Sequence, residues 1–243
     1  MDSKDLPDRW HNIIPELESP LPPTMASSGY PLSERDLQPL APDSIIEQEL
    51  EVKKREIPIP REVRESYSHW RPTPMFRADK LEQALATPAR IFYKYEGGGP
   101  SVSHEAHTAV AQAYYASSEG AKRVVTATGN GEWGVSLAIA CNYFSVKCRV
   151  YMVRASYEEK MYGRYLMDVL GAEVLPSPSD KTRAGKKILS QDPQSPGNLS
   201  IALSEAFEDA YSGDEAKFCW GTVMNHVLLH QTIIGLEAQR QIR

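Results

Sequence analysis

The sequence predicts an α/β protein in which helices cover both faces of a parallel sheet. Two observations carry that expectation. From residue 89 onward, short apolar runs alternate with helical patterns, the rhythm of strand-helix-strand units. Two glycine-rich turns, Glu96-Gly97-Gly98-Gly99-Pro100 and Thr128-Gly129-Asn130-Gly131, each lead into a helical run, where unpaired backbone N–H groups can hold a ligand. In such sheets the pocket lies beyond the carboxyl ends of the strands, so both turns are expected to line it.

Residues 1–70 form a leader dense in proline: Pro15, Pro20, Pro22, Pro23, Pro31, Pro39 and Pro42. Prolines this close together prevent long helices and favour extended chain. Apolar anchors at Ile13, Leu17, Leu40, Ile45 and Ile46 make it a belt that packs on the body, with a short helix over 44–54 capped by Ser44. A helix is expected at 78–85. Strands follow at 90–95, 123–127, 147–153, 173–175 and 218–223, set between helices at about 104–117, 132–144, 157–170, 181–189, 199–211 and 223–242. This divides the chain into the leader, an α/β domain over 71–222 and a final linking helix over 223–243.

A chain of 243 residues, 41% hydrophobic and 24% charged, is long enough for one large domain or two small ones with a real core. A net charge of -5 without a Lys/Arg run argues against a nucleic-acid partner. Cys141, Cys148 and Cys219 form no Cys-x-x-Cys pair and read as buried thiols of a cytoplasmic protein. No apolar stretch reaches 18 residues, so neither a signal peptide nor a membrane span is expected. His226 and His230 share a helical face, but no His-Glu-x-x-His pattern accompanies them and no metal site is expected.

The two turns, together with Arg71-Pro72-Thr73-Pro74-Met75-Phe76-Arg77, resemble the second, longer branch of the tryptophan synthase β-chain family. The resemblance implies the three-layer parallel sheet of fold-type II pyridoxal phosphate (PLP) enzymes, lacking most of the C-terminal domain. It covers almost all of this chain but only the first half of a typical member. In that family the first turn reads Gly-Ser-His-Lys-x-Asn-Thr-Ala, its lysine forming the Schiff base, and the second reads Thr-Glu-Thr-Gly-Ala-Gly-Gln-Trp-Gly. Aligned on these motifs, Glu105 takes the lysine's place, His107 the asparagine's, Ala127 the acid/base glutamate's, and Asn130 and Glu132 those of the alanine and glutamine.

A carboxylate cannot form the coenzyme's imine. The expectation is therefore a PLP-independent protein, with no cofactor, that has become an acid/base enzyme of cyclase, lyase or isomerase type in specialised metabolism. Glu105, His107 and His104 would be catalytic; Ser103, Thr128, Asn130, Glu132 and Trp133 would bind a mostly apolar small molecule. The alternative is a non-catalytic subunit that stabilises or regulates an active relative. Lys94 is either a substitute amine or a strand residue at the rim, and Arg154 and Arg164 either reach an anion or are solvated. The leader and final helix would expose apolar faces, implying a partner: a chain carrying the complementary half, or a second copy.

Overall fold

The computed structural model describes residues 6–19, 21–26, 28–101, 103–212 and 215–242; Pro20 and residue 243 of the expected linking helix lie outside them. Four strands form the central sheet: β5 (Arg123–Thr128), β6 (Lys147–Val153), β7 (Glu173–Ser177) and β8 (Ala216–Phe218). They run in the order β7-β6-β5-β8, and every pairing is parallel. Val124, Val125, Thr126 and Ala127 of β5 are all buried although alternate residues face opposite ways, so both faces are covered. One cover is α10 (Leu199–Ser212), lying along β5, β6 and β8 with α9 (Arg183–Gln191) against it. The other is α6 (Glu132–Tyr143), backed by α5 (Ala106–Ser118) and α8 (Met161–Val169).

The leader packs as a belt. β1 (Arg9–His11) pairs antiparallel with β2 (Glu56–Pro58), and Trp10 is wholly buried. α1 (Glu34–Leu37), α2 (Asp43–Leu50) and α3 (Arg61–Ser68) follow; α2 and α3 lie on α5, burying Ile45, Ile46, Val63 and Tyr67. The cap of α2 is Pro42, not Ser44. The amides of Asp43 and Ser44 instead donate to the Glu119 carboxylate at 2.6 and 3.1 Å, which satisfies the helix start from outside. β3 (Met75–Arg77) and β4 (Phe92–Lys94) form a separate antiparallel ribbon around α4 (Asp79–Ala84). α11 (Asn225–Gln241) closes the chain against β1, α2 and α5.

Two expected elements differ. The single helix over 157–170 is α7 (Arg154–Glu159) followed by α8, divided at Lys160, whose φ of -104° and ψ of 64° are not helical. The strand expected at 218–223 is β8, three residues long and ending at Phe218. Beyond it the amide and carbonyl of Trp220 are taken by the Gln112 side chain, at 2.9 and 2.8 Å, and no longer follow β5. All three cysteines are buried and unpaired. Among the described residues no group of His, Cys, Asp and Glu could hold a metal, and no helix is long and apolar enough to cross a membrane.

Candidate functional site

A cavity of about 390 Å3 lies at the carboxyl ends of β5 and β8, where the α/β topology places it. Leu199, Leu203 and Phe207, spaced four apart on α10, wall one side; Phe218 and Trp220 continue the wall. Phe207 stacks on Phe218 at 4.2 Å between ring centroids, and Phe218 meets Trp220 edge-on at 4.8 Å. Trp133 faces them from the first turn of α6. Its indole N–H donates to Thr126 Oγ1 at 2.7 Å, and that hydroxyl donates in turn to the carbonyl of Cys219 at 2.7 Å. The pocket is thus a rigid aromatic slot, with the Trp133 indole donor already used.

The turn after β5 needs glycine. Gly131 caps α6 with φ at 98°, in the left-handed region, and its amide donates to Thr128 Oγ1 at 3.1 Å. Thr128 therefore serves its own turn while also lining the cavity. Asn130 and Glu132 line it too; Asn130 Oδ1 accepts from Ser156 Oγ at 3.4 Å. On the opposite rim Val223 is held at a φ of 64°, unusual for a β-branched residue.

Glu105, the residue before α5, is the ionisable group that enters from the other glycine turn. Burial pushes its carboxyl above the ordinary value; hydrogen bonding from Ser103 and the charge of His104 oppose the rise, and the charge of Glu132 adds to it. Ser103 bridges the Glu105 amide and carboxylate at 3.2 and 3.3 Å, a role in fixing Glu105, and is not in the cavity wall. His104 is exposed and supplies only its carbonyl, to His107.

His107 does not line the pocket. It is wholly buried behind it, in a cluster joining the end of the leader, β4, α5 and α11. Arg71 grips Glu237 through two hydrogen bonds of 2.6 and 2.7 Å, and Lys94 Nζ reaches the same carboxylate at 2.8 Å. Arg71 also donates to Glu96 at 3.0 Å and to His107 Nε2, while His107 Nδ1 donates to the His104 carbonyl. With Nε2 accepting from a guanidinium the imidazole is neutral, in agreement with burial lowering its pKa. Burial alone would raise Glu96, but the charge of Arg71 and the hydrogen bond from Thr73 hold it down, at about 2. Two cations and two carboxylates then balance, as a buried ionic cluster requires.

The remaining candidates are elsewhere. Lys94 is held in that cluster. Arg154 donates to the carbonyl of Pro178, and Arg164 stacks on Tyr157 and Tyr165 at 4.5 and 4.9 Å. His226 and His230 are buried, bonded to Glu49 and to Gln48 and Thr108. Sequence reasoning missed Leu199, Leu203, Phe207, Phe218 and Trp220 as pocket walls, although the four-residue spacing on α10 was a visible signal.

Fold and cavity together define an α/β protein with a cavity of small-molecule size at the ends of its strands. Its architecture matches solved structures of Escherichia coli diaminopropionate ammonia lyase (TM-score 0.57, 18% identity, 75% of this chain and 51% of that one) and of Solanum lycopersicum threonine deaminase isoform 2 (TM-score 0.53, 20% identity, 70% and 40%). Residues 67–211 match the family model described as pyridoxal-phosphate dependent enzyme, and the chain belongs to that family. Similar relatives are tryptophan synthase beta chain 2 of Methanosarcina mazei, 47% identical over all of this chain and 55% of that protein, and of Aeropyrum pernix, 53% identical over 99% and 54%. The chain spans about half the length of these relatives.

These findings overturn the expectation of a PLP-independent cyclase, lyase or isomerase, and the alternative of a non-catalytic subunit. That reading rested on one side chain, Glu105, whereas the match to a pyridoxal-phosphate dependent family runs over residues 67–211. The lining of this cavity nevertheless fits an amine-linked coenzyme poorly. Its carboxylates are Glu105 and Glu132, among the described residues neither Lys nor Arg lines it, and Lys94 is committed to Glu237 and the carbonyl of Thr73.

Proposed function

We propose that the chain forms the substrate side of an enzyme of the tryptophan synthase β type, and that its cavity takes an aromatic ring the size of the tryptophan side chain. The observation that carries this reading is the slot lined by Trp133, Phe207, Phe218 and Trp220, with Glu105 also in its wall. The names and identities of the relatives support it. Within it Glu105, raised toward neutrality by burial, exchanges a proton with the bound ligand; Ser103 orients it and Glu132 reinforces the rise. Trp133, Thr128 and Asn130 shape the slot and exclude water. His107 and the cluster around Arg71 act behind it, fixing the start of α5 on which Glu105 stands.

Glu105 is read as standing where the family carries its imine-forming lysine. A complementary polypeptide segment, corresponding to the rest of the relatives' length, is read as covering the β3–β4 ribbon. There Phe76, Tyr93 and Tyr95, with Leu81 and Leu85 alongside, lie exposed on a two-stranded unit that is marginal alone.

The test is ligand binding and covalent trapping. Indole should quench the fluorescence of Trp133 and Trp220, and Glu105→Gln should lower turnover by about 100- to 10,000-fold with little loss of stability. Borohydride in the presence of PLP should fix an adduct at residue 105 only in Glu105→Lys. Absence of indole binding, or an adduct at Lys94 in the unaltered chain, would defeat the reading.

A further inference from the structure

The geometry points to a ligand that carries a protonated amine and no carboxylate: the slot is built for an arylalkylamine, its ring between Trp133, Phe207, Phe218 and Trp220 and its ammonium toward Glu105 and Glu132. This rests on the aromatic slot proposed above and names which member of that ligand class it selects.

Three features lead there. The cavity is walled mainly by apolar and aromatic side chains, and aromatic faces attract a desolvated cation, by about 2 kcal/mol when water is excluded. Its two lining carboxylates have the same sign. No Lys or Arg among the lining residues is available to neutralise a ligand carboxylate.

A further feature concerns the helix starts. A helix N-terminus ordinarily attracts anions, and four helices begin at this cavity, of which α10 and α11 already give the Ile201 and His226 amides to Asn198 and Glu49. Here, however, Glu105 immediately precedes α5 and Glu132 opens α6, so each dipole already faces a carboxylate of the chain itself. The Gly131 amide, which might have served an anion, is taken by Thr128 Oγ1. A ligand carboxylate would meet two like charges and a spent donor, whereas an ammonium would meet two acceptors.

The binding should also depend on pH. Glu105 must be ionised to pair with the ammonium, so affinity for the amine should rise as pH increases through the elevated Glu105 range and should level off above it. A neutral ring of the same size should show no such rise.

Equilibrium titration of the purified chain, or of the complex in which it purifies, with tryptamine, indole and indole-3-propionate decides the matter. Tryptamine should bind about 10-fold or more tightly than indole-3-propionate. Glu105→Gln and Glu132→Gln should each weaken tryptamine by about 5- to 10-fold and leave indole within about 2-fold, circular dichroism confirming the fold. If indole binds but indole-3-propionate equals or exceeds tryptamine, or if neither substitution affects tryptamine, the amine preference is wrong and the aromatic slot stands. If none of the three binds, both fall.

Discussion

Val223 is a β-branched residue in the left-handed region on the rim of the cavity, a conformation costing about 1–2 kcal/mol. Val223→Gly removes that cost but enlarges the freedom of the unfolded chain. The net gain should be small, about 0.5–1 kcal/mol and visible as a higher Tm, and aromatic-ligand affinity should fall as the rim loosens. The same scale shows what sequence could and could not tell. Glu105 and His107 were treated as neighbours at one pocket, yet residues two apart at a helix start point to nearly opposite sides. That periodicity was legible. What was not legible was the partner awaiting His107: Arg71 and Glu96 come from positions 36 and 11 residues earlier in the chain.

At the level of elements, β6 emerges over its expected span because Val150, Tyr151 and Met152 form a buried apolar run, a signal contained in the strand itself. β8 falls short for a reason that only tertiary structure supplies. The Gln112 side chain, on α5, replaces a neighbouring strand for Trp220 and turns that residue into the cavity wall. Gln112→Ala should leave both backbone groups unsatisfied, lowering stability by about 2–4 kcal/mol, and should weaken indole binding beyond what its distance from the ligand would suggest. Chemical denaturation and the indole titration measure the two effects. Conserving the amide geometry matters: Gln112→Glu can accept from the Trp220 amide but cannot donate to its carbonyl, and is expected to recover only part of the loss.

For the whole molecule, the buried titratable groups bias stability against acid. His107 and His230 have pKa values lowered by burial, and Glu96 sits at about 2. Each has a folded pKa below its unfolded value, so each contribution is complete above the unfolded value and is lost as pH falls through the folded one. Stability should therefore decline below about pH 6.5 as the histidines come under protonation pressure, and decline again below about 4.5 as Glu96 does. Denaturant midpoints from pH 8 to pH 3 would show the two steps; a flat profile would contradict them. Arg71→Leu should flatten the lower step while destabilising the protein at neutral pH, because it removes one of the two cations that balance Glu237 and Glu96.

The sequestered sulfurs give this loss of structure its own reporter. Cys141, Cys148 and Cys219 are enclosed in the interior, and burial holds Cys141 and Cys219 well above the range in which a thiol is nucleophilic. A colorimetric alkylating probe consequently finds nothing to react with until the interior opens. Cys219 also borders the aromatic slot, so its rate of modification offers a clock that a bound guest should slow while the other two keep time with the body of the sheet.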